Sequence, residues 1–329
     1  NLGEVEATIR LALLYENGRG VEKNLQKALE LFKKASQPDR DYIDSTGSNA
    51  EASLAKSHFQ RVTAKLAALE SKRLLPYSDL TFGNYHALVI GNNNYTHLEK
   101  LNTPINDAKV ISNLLRTKYG FKVSELLNAS RKEIIKSINQ YRKTLRPQDN
   151  FLLYYAGHGT YDEETKAGYW QPINAEKNDD TEWITNDRIT SIVKGLKANN
   201  VIIIADSCYS GTVFRGNKSL QTGGEEKKQF LRRIIKKKTR VALTSGGNEP
   251  VVDAVGGGSH SVFAQSLINI LKDNDDVMTS TTLSEKVKKY VIPRIKAYQV
   301  EQTPEHSNMY KAGHDGGDFV FVPRALVTQ

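Results

Sequence analysis

A cysteine and a histidine each stand just beyond a run of apolar residues. Cys208, the only cysteine among the 329 residues, follows "VIIIAD" at residues 201–206, and His158 follows "FLLYYA" at residues 151–156. A cysteine attacks as the thiolate, and a nearby imidazole takes its proton or holds it as an ion pair. This pairing indicates nucleophilic attack on an acyl carbon, with Cys208 as nucleophile and His158 as general base and then general acid.

An inert, buried cysteine is the alternative, because free cysteines are among the most buried residues. A core cysteine is expected inside the apolar run, whereas Cys208 lies four positions beyond the last isoleucine, where a strand gives way to a loop. The small residues Ala156 and Gly157 precede the histidine, and Gly159 follows it. The N–H groups of Gly159 and Cys208 would then form an oxyanion hole for the reacting carbonyl.

The chain alternates apolar strands with amphipathic helices over most of its length. We predict strands at residues 86–92, 122–126, 150–159 and 199–208 and at "TRVALTSG" and "GDFVFV", and helices at residues 106–118, 131–143, 185–196, 261–271 and 283–297. Strands that are apolar on both sides indicate a mainly parallel sheet covered by helices, a three-layer α/β/α sandwich. Neighbouring parallel strands end at one edge, so His158 would reach Cys208 across one βαβ crossover.

The first 37 residues predict two amphipathic helices around a turn at Gly18 and Gly20. The expected inner faces are Leu11, Leu14 and Tyr15 on the first helix and Ala28, Leu29 and Phe32 on the second. The stretch "LALLYENGRGVEKNLQKALELFKKA" resembles a Sel1-like repeat, a relative of the tetratricopeptide repeat, with an unrelated helical hairpin as the alternative. One repeat cannot bury its own face, so we expect further repeats upstream or docking on the rest of the chain, with partner binding or autoinhibition as its role.

The remaining domain boundaries follow from composition. Residues 38–83 are expected to form a linker and a connecting helix, and the α/β domain is expected over residues 84–325. One face of the connecting helix would contain Leu54, Phe59, Val62, Leu66 and Leu69.

The composition is that of an ordinary globular protein, with 39% hydrophobic and 25% charged residues. No apolar stretch approaches the roughly 18 to 20 residues of a membrane-spanning helix, so no membrane association is expected. A single cysteine excludes an internal disulfide, and the N-terminus lacks the order of a signal peptide, so we expect a reducing cytoplasm. The net charge of +9 raises the question of nucleic-acid binding.

Several motifs accompany the two reactive residues. They are "YYAGHG" at the histidine, "DSCYSG" at the cysteine about fifty residues later, "YHALVIGNNNY" on the first strand, "NDAKVISNLL" on the first helix, and "LTSGGNEPV" followed by "GGGSHSVFAQSLINIL". Together they resemble the caspase and metacaspase family of cysteine peptidases over residues 84–323, and the histidine-to-cysteine spacing is that of caspases. The resemblance implies a cysteine endopeptidase whose catalytic dyad is Cys208 and His158.

The residues around the cysteine depart from those of animal caspases, which have Gln-Ala before the cysteine and Arg-Gly after it. Asp206 resembles the metacaspase position whose carboxylate lines the primary specificity pocket, and Asp107 of "NDAK" matches a second acidic position of that pocket. Two carboxylates in a partly desolvated slot favour lysine or arginine and repel aspartate, so the resemblance implies cleavage after Arg or Lys. The alternative for Asp107 is a solvated acid at a helix N-terminus.

Many metacaspases need calcium, which acidic clusters hold. The corresponding stretch here is "WITNDR", in which Asn186 and Arg188 flank Asp187, and the loop after the cysteine has Arg215 where an acid is expected. We therefore expect no metal and no other cofactor, with calcium dispensable for activity.

Eight Lys and Arg residues crowd residues 227–240 and supply much of the excess charge. No aromatic residues interleave suitably for a nucleic-acid arm and no recognition fold is evident, and a solvated charged loop is the ordinary alternative. In caspases, the corresponding loop joins the two subunits. On that third interpretation Lys227, Lys228, Arg232 and Arg233 are sites of self-cleavage in a long, mobile loop.

Two rival functions are open besides an endopeptidase. A catalytically silent caspase-fold scaffold would use the fold and the helical repeat only for assembly, and a nucleic-acid-regulated adaptor would use the basic segment. By resemblance, bacterial proteins of this type often act in signalling, cell death or antiphage defence.

Overall fold

The computed structural model describes residues 2–37, 50–74, 77–207, 214–215, 224–246, 258–298 and 302–327. The chain divides into two compact units, Asn1–Ser78 and Asp79–Gln329. Cys208 lies outside the described residues. None of the described helices is both long enough and apolar enough to cross a membrane.

Three helices form the N-terminal unit: α1 (Leu2–Asn17), α2 (Leu25–Ala35) and α3 (Ala50–Leu74). Gly18 and Gly20 adopt positive φ angles of 69° and 76° in the turn after α1, which glycine permits without a steric cost. The core of this unit consists of Ile9, Ala12, Ala28, Phe32, Ala35, Ala55 and Val62. Helix α3 therefore covers the face that a single hairpin leaves open.

The predicted inner faces of these helices are partly wrong. Leu11 and Leu14 of α1 are 41% and 40% exposed, and Leu54 of α3 is 49% exposed. Ile9 and Ala12 are buried in α1 instead. A leucine-rich helix presents more than one apolar stripe, so periodicity alone does not decide which stripe packs.

The second unit contains twelve strands and six α-helices among the described residues. The strands are β1 (Tyr85–Gly91), β2 (Lys122–Leu127), β3 (Asn150–Ala156), β4 (Gly159–Asp162), β5 (Ala167–Trp170), β6 (Ile184–Thr185), β7 (Asn200–Asp206), β8 (Phe214–Arg215), β9 (Thr239–Thr244), β10 (Met278–Thr279), β11 (Glu305–Met309) and β12 (Val320–Phe321). The helices are α4 (Pro104–Tyr119), α5 (Arg131–Thr144), α6 (Asn186–Lys194), α7 (Gly224–Ile234), α8 (Val262–Lys272) and α9 (Ser280–Lys296), and a 3-10 turn covers Arg324–Leu326.

A seven-stranded sheet in the order β2–β1–β3–β7–β9–β11–β8 forms the centre of this unit. The first five strands are parallel, whereas β11 runs antiparallel to β9 and β8 antiparallel to β11. Every residue of β3 and β7 is buried, as expected for strands covered on both faces. The prediction of a mainly parallel sheet is confirmed.

Helices cover both faces of this sheet. Alternate residues of β3, such as Leu153 and Tyr155, share a core with Ile134 of α5 and Ile189 of α6. On the other face α4 contacts β1, β2 and β3 and packs on α8, which packs on α9. The result is the predicted three-layer α/β/α sandwich, in which β3 and β7 end side by side.

Three features differ from the sequence predictions. Helix α7 occupies part of the segment predicted as a long loop, because Leu231 and Ile234 give it a buried side. Six short strands lie outside the predicted ones, namely β4, β5, β6, β8, β10 and β11, and the sequences "GTYD" of β4 and "EHSNM" of β11 contain no apolar run. The closing strand β12 pairs with β10 in a separate two-stranded sheet and not with the large one.

Candidate active site

Two adjacent strand ends position the site. Strands β3 and β7 are parallel neighbours, and their register pairs Ala156 with Asp206 at the last position of each strand. His158 and Cys208 each follow two residues later in the sequence. The predicted adjacency of the two strands is confirmed, and the segments that carry the histidine and the cysteine leave the sheet at the same level.

Two tyrosines fix the backbone of His158. Its N–H donates to Tyr95 Oη at 2.7 Å, and Tyr155 Oη donates to its carbonyl at 2.8 Å. The Tyr95 ring also packs on the imidazole, with ring centroids 4.6 Å apart. A Cβ at Gly157 would stand 2.6 Å from Tyr95 Oη, so glycine is needed for this close approach. Polar contacts therefore set the position of His158 before any substrate arrives.

The imidazole of His158 also contacts the loop after β1. Its Nε2 lies 2.8 Å from the Glu99 carbonyl oxygen. A carbonyl oxygen only accepts, so in the neutral ring Nε2 carries the hydrogen and Nδ1 carries the lone pair. Nδ1 is thus the nitrogen that can take a proton from a thiol. The main-chain carbonyl orients the ring, as the aspartate carboxylate does for the histidine of Ser-His-Asp triads.

The structure brings the two predicted pocket acids together. Asp206 at the end of β7 is 6% exposed, and Asp107 in the first turn of α4 is 1% exposed. Ser261 bridges them, because its Oγ donates to Asp206 Oδ2 at 2.5 Å and its N–H donates to Asp107 Oδ2 at 3.4 Å. Burial of Asp107 excludes the alternative of a solvated acid at a helix N-terminus.

A histidine absent from the predicted site also contacts Asp107. His260 Nδ1 lies 2.5 Å from Asp107 Oδ1. Burial lowers the pKa of His260 below its ordinary value of 6.5, so the ring is mostly neutral near pH 7. The neutral ring donates its Nδ1–H to the carboxylate, which only accepts.

A cavity of about 100 Å³ opens between these groups. His158 and Gly157 contribute to its wall, and so do Asp107, Asp206 and Ser261. One ligand can therefore place a reacting bond next to His158 and a basic side chain next to the two acids. Two carboxylates beside so small a cavity favour a cation, since little water screens their charge.

The carboxylates also act on Tyr154 of β3. This side chain is fully buried, and burial, followed by the charges of Asp206 and Asp107, raises its pKa well above the ordinary value. The hydroxyl stays protonated at all ordinary pH values. Tyr154 therefore adds no charge to the pocket.

Gly159 is buried and begins β4, where it pairs with Trp170 of β5. Its neighbour His158 accepts from the Gln171 N–H at 3.0 Å, which continues this antiparallel pairing. Small strands thus fix the backbone on both sides of the histidine. The oxyanion hole formed by the N–H groups of Gly159 and Cys208 stays a prediction.

The four predicted self-cleavage residues lie in α7, and the prediction of a loop at this place is wrong. Lys227 Nζ lies 2.6 Å from Asp276, and Lys228 Nζ lies 2.9 Å from Asp79. Arg232 pairs with Asp79 as well. Helix and ion pairs hold the segment that contains Lys227, Lys228, Arg232 and Arg233 against the same unit.

Asn186, Asp187 and Arg188 form the first turn of α6. Among the residues that the structure describes, no group of three or more His, Cys, Asp or Glu side chains is placed to hold a metal ion. Arg215, the other position weighed for calcium, lies in β8. That calcium is dispensable stays a prediction.

Four contributors to the site were missed in the sequence: Tyr95, Glu99, His260 and Ser261. Glu99 acts through its main-chain oxygen, which every residue type has, so the sequence gives no signal for it. Ser261 gave a usable signal, since a serine just before an apolar helix is typical of an N-cap, and its Oγ does accept from the Ala264 N–H at 2.8 Å. Its further bond to Asp206 depends on a contact between distant parts of the chain.

A family model described as the caspase domain matches residues 84–312, and a Sel1 repeat model matches residues 5–37. Metacaspase-1 of Eremothecium gossypii is 28% identical over 156 residues, which cover 41% of this chain and 34% of that protein. Mucosa-associated lymphoid tissue lymphoma translocation protein 1 of Homo sapiens is 41% identical over 89 residues, which cover 27% of this chain and 10% of that protein. The chain thus spans about a third of the fungal relative's length and about a tenth of the human one.

Among solved structures, caspase-1 of Spodoptera frugiperda is 16% identical to this chain with a TM-score of 0.50. The match covers 70% of this chain and 89% of that one. At this identity the likeness concerns the fold alone. It agrees with the three-layer sandwich, and the two family models coincide with the α/β region and the helical hairpin that the sequence predicts.

Proposed function

Because the chain belongs to the caspase domain family, we propose that it is a cysteine endopeptidase of the metacaspase type that cleaves proteins after Arg or Lys. The observation that carries this proposal is the cavity shared by His158, Asp107 and Asp206. A base at the end of one strand and two buried acids around the next strand end are the parts that such a reaction needs.

His158 and Cys208 supply the chemistry in this proposal. The thiol of Cys208 gives its proton to His158 Nδ1, and the thiolate attacks the carbonyl carbon of the scissile bond. The N–H groups of Gly159 and Cys208 stabilise the oxyanion, and the imidazolium then protonates the leaving amine. Water attacks the resulting thioester with His158 as base, which releases the acid product and restores the thiol. No metal or other cofactor takes part in these steps.

Asp107 and Asp206 supply the specificity. The cationic side chain of the residue before the scissile bond enters the cavity and pairs with both carboxylates. An aspartate at that position would meet two like charges in a poorly screened space, so the pocket discriminates between basic and acidic residues. Removing one partner of such a buried pair costs about 2–5 kcal/mol, equivalent to about 30-fold to several thousandfold in binding.

The N-terminal unit is proposed to bind a protein partner that controls the peptidase. The Sel1 repeat match and the exposed Leu11 and Leu14 of α1 support this role, because repeats of this class stack their helices on neighbours. To test partner binding, the purified chain is cross-linked in a lysate and the cross-linked positions are mapped, with the Leu11→Ser variant as comparison.

Cleavage of a peptide library by wild type and by Cys208→Ala tests the proposed function. We expect wild type to cut after Arg and Lys, with no cutting in the variant or after alkylation by iodoacetamide. Activity that survives in Cys208→Ala would refute the mechanism. A wild-type chain that folds, binds partners and cuts no peptide would favour the silent scaffold instead.

A further inference from the structure

The segment that leads into α8 binds both acids of the specificity pocket. Asn106 Nδ2 donates to the Ser259 carbonyl at 2.8 Å, which fixes this segment on α4. His260 Nδ1 lies 2.5 Å from Asp107 Oδ1, and the next residue, Ser261, donates to both carboxylates. Contacts from three consecutive residues thus order the two acids, although the segment lies 153 residues from Asp107 in the sequence.

His260 contacts Asp107 from outside the cavity. The cavity wall contains Asp107, Asp206 and Ser261 but not His260. The His260 side chain is 13% exposed and the Asp107 side chain 1% exposed, so little water reaches this contact. Among the described residues, His260 is thus placed to act on a substrate through Asp107.

A buried carboxylate stays ionised only if donors satisfy it. A neutral donor satisfies the carboxylate and leaves its negative charge available to the substrate. An imidazolium would neutralise that charge next to the incoming basic side chain. Because burial lowers the pKa of His260, the ring is the neutral donor near pH 7. Among the described residues, Asp206 from β7 and His158 after β3 are the other ionisable groups that line the cavity with Asp107, and the nearby Tyr154 of β3 stays protonated.

We propose that His260 is a positioning residue of the specificity pocket, which keeps the Asp107 carboxylate ionised and oriented for the arginine or lysine side chain of the substrate. This role rests on the proposed function, since it presumes that a basic side chain enters the pocket.

Binding of basic substrates should weaken at acid pH if His260 has this role. As the pH falls through the lowered pKa of His260, an imidazolium forms beside Asp107 and the pocket loses about one negative charge. Basic substrates then bind more weakly, while a neutral side chain of the same shape is unaffected. The sign is therefore a loss of charge discrimination on the acid side of pH 6.5.

The test compares kcat/KM for two peptides of otherwise identical sequence. One has arginine before the scissile bond, and the other has citrulline, its uncharged analogue. Both peptides are cleaved by the same Cys208 and His158 dyad, so any effect of pH on the dyad is common to both kcat/KM values and cancels in their ratio. His260→Leu removes the donor, and His260→Asn keeps an N–H donor near the Nδ1 position but does not titrate. His86→Asn, in the amino-terminal half of β1 and away from the pocket, is the control.

We expect His260→Leu to lower the arginine-to-citrulline ratio by about tenfold to a hundredfold at pH 7.5, the effect of losing one hydrogen bond to a charged group, mainly through KM. His260→Asn should restore the ratio to within a few-fold of wild type and abolish its decline at acid pH. His86→Asn should change neither.

An unchanged ratio in His260→Leu, or an acid-side decline that persists in His260→Asn, would overturn the role of His260 while leaving the peptidase intact. If His260→Leu does not fold, the pH profile of His260→Asn decides alone. Equal cleavage of both peptides by wild type would instead refute the proposed specificity, and the role of His260 with it.

Discussion

His158 is held by side chains that take no part in the proposed chemistry. Tyr95, which is 3% exposed, accepts from the His158 N–H and donates to the Gln171 carbonyl at 3.0 Å. Loss of the hydroxyl would leave the His158 N–H without its acceptor, at a cost of about 1–3 kcal/mol. The histidine would then be less well ordered next to the thiol.

We predict that Tyr95→Phe lowers kcat/KM for an arginine peptide by about tenfold, the rate equivalent of about 1.4 kcal/mol. Tyr298→Phe serves as the matched control, because this tyrosine is 54% exposed. Steady-state kinetics measure the loss of catalytic efficiency, and a melting curve measures any loss of fold stability. A lower Tm with unchanged kcat/KM would mean that Tyr95 only stabilises the fold.

At the scale of residues, the sequence indicates the reactive groups but not their supports. Cys208 and His158 stand out because they follow buried parallel strands, where functional groups collect, whereas Asp206 at the end of β7 was assigned to the pocket through its resemblance to the metacaspase position. Asp107 required the resemblance of "NDAK" to the family. Glu99 and His260 could not be found in this way, since one acts through its backbone and the other through a contact 153 residues away.

Among the elements, α7 bears most directly on the proposed self-cleavage. Its four candidate cleavage residues lie in a helix, so cutting requires α7 to open locally and present an extended strand. Asp79 holds two of them, Lys228 and Arg232, by ion pairs. The proposed self-cleavage at this place would therefore be slow while α7 is folded.

We predict that Asp79→Asn speeds self-cleavage at Lys227, Lys228, Arg232 or Arg233 by a few-fold, because partly exposed ion pairs contribute little each. Intact mass spectrometry over time follows the fragments, with Cys208→Ala as the uncut reference. Asp275→Asn breaks a pair with Lys118 that does not involve α7 and should have no effect. Equal cutting of wild type and Asp79→Asn would show that these ion pairs do not restrain α7.

A buried arginine connects β9 to the segment before β7. Arg240 is 0% exposed, and its guanidinium donates to the carbonyls of Leu196, Ala198, Asn199 and Thr239 at 2.8–3.0 Å. Burial lowers its pKa to about 10, so it stays charged at neutral pH. The planar, forked group satisfies several main-chain acceptors that an ammonium cannot reach together.

Arg240→Lys is therefore expected to destabilise the α/β unit by about 2–4 kcal/mol, because several buried carbonyls lose their donors. Calorimetry should show a drop in Tm of roughly 5–15 °C for a unit of this size. Arg188→Lys, at an exposed position of α6, is the comparison. A similar Tm for both variants would contradict this role.

The sequence predicts the long elements of the fold and misses the short ones. The apolar runs of β3 and β7 and the capped helices α5 and α8 carry strong local signals. The short strands β4 and β11 have polar sequences and form only because neighbouring backbone groups need partners. The many charged residues of α7 made it resemble a loop in the sequence, although its apolar residues have the spacing of an amphipathic helix.

The whole molecule should lose stability on mild acidification. Burial is the main cause of a lowered pKa at five of the seven histidines, namely His58, His86, His260, His306 and His314. A folded pKa below the unfolded value means that the unfolded chain binds more protons. The resulting stability is present above about pH 6.5 and is lost as the pH falls toward the folded values.

We predict that the Tm is constant between pH 8 and 7 and falls below pH 6.5. His306→Gln should reduce this slope, because burial is the main cause of the lowered pKa of the half-buried His306, whose Nε2 lies 2.9 Å from Ser280 Oγ, which donates to Asp318. Exposed His97 provides the control variant, His97→Gln. A Tm that does not change between pH 7 and 5 would contradict the burial argument.

One labelling experiment tests both the thiol nucleophile and the acidic specificity pocket beside it. Purified chain is treated with matched peptidyl acyloxymethyl ketones that carry either arginine or aspartate at the position before the reactive carbon, and the adducts are mapped by mass spectrometry. We expect a single adduct on Cys208, formed at least about 30-fold faster with the arginine probe and lost in His158→Ala. Equal rates with both probes, or no adduct on Cys208, would contradict this expectation.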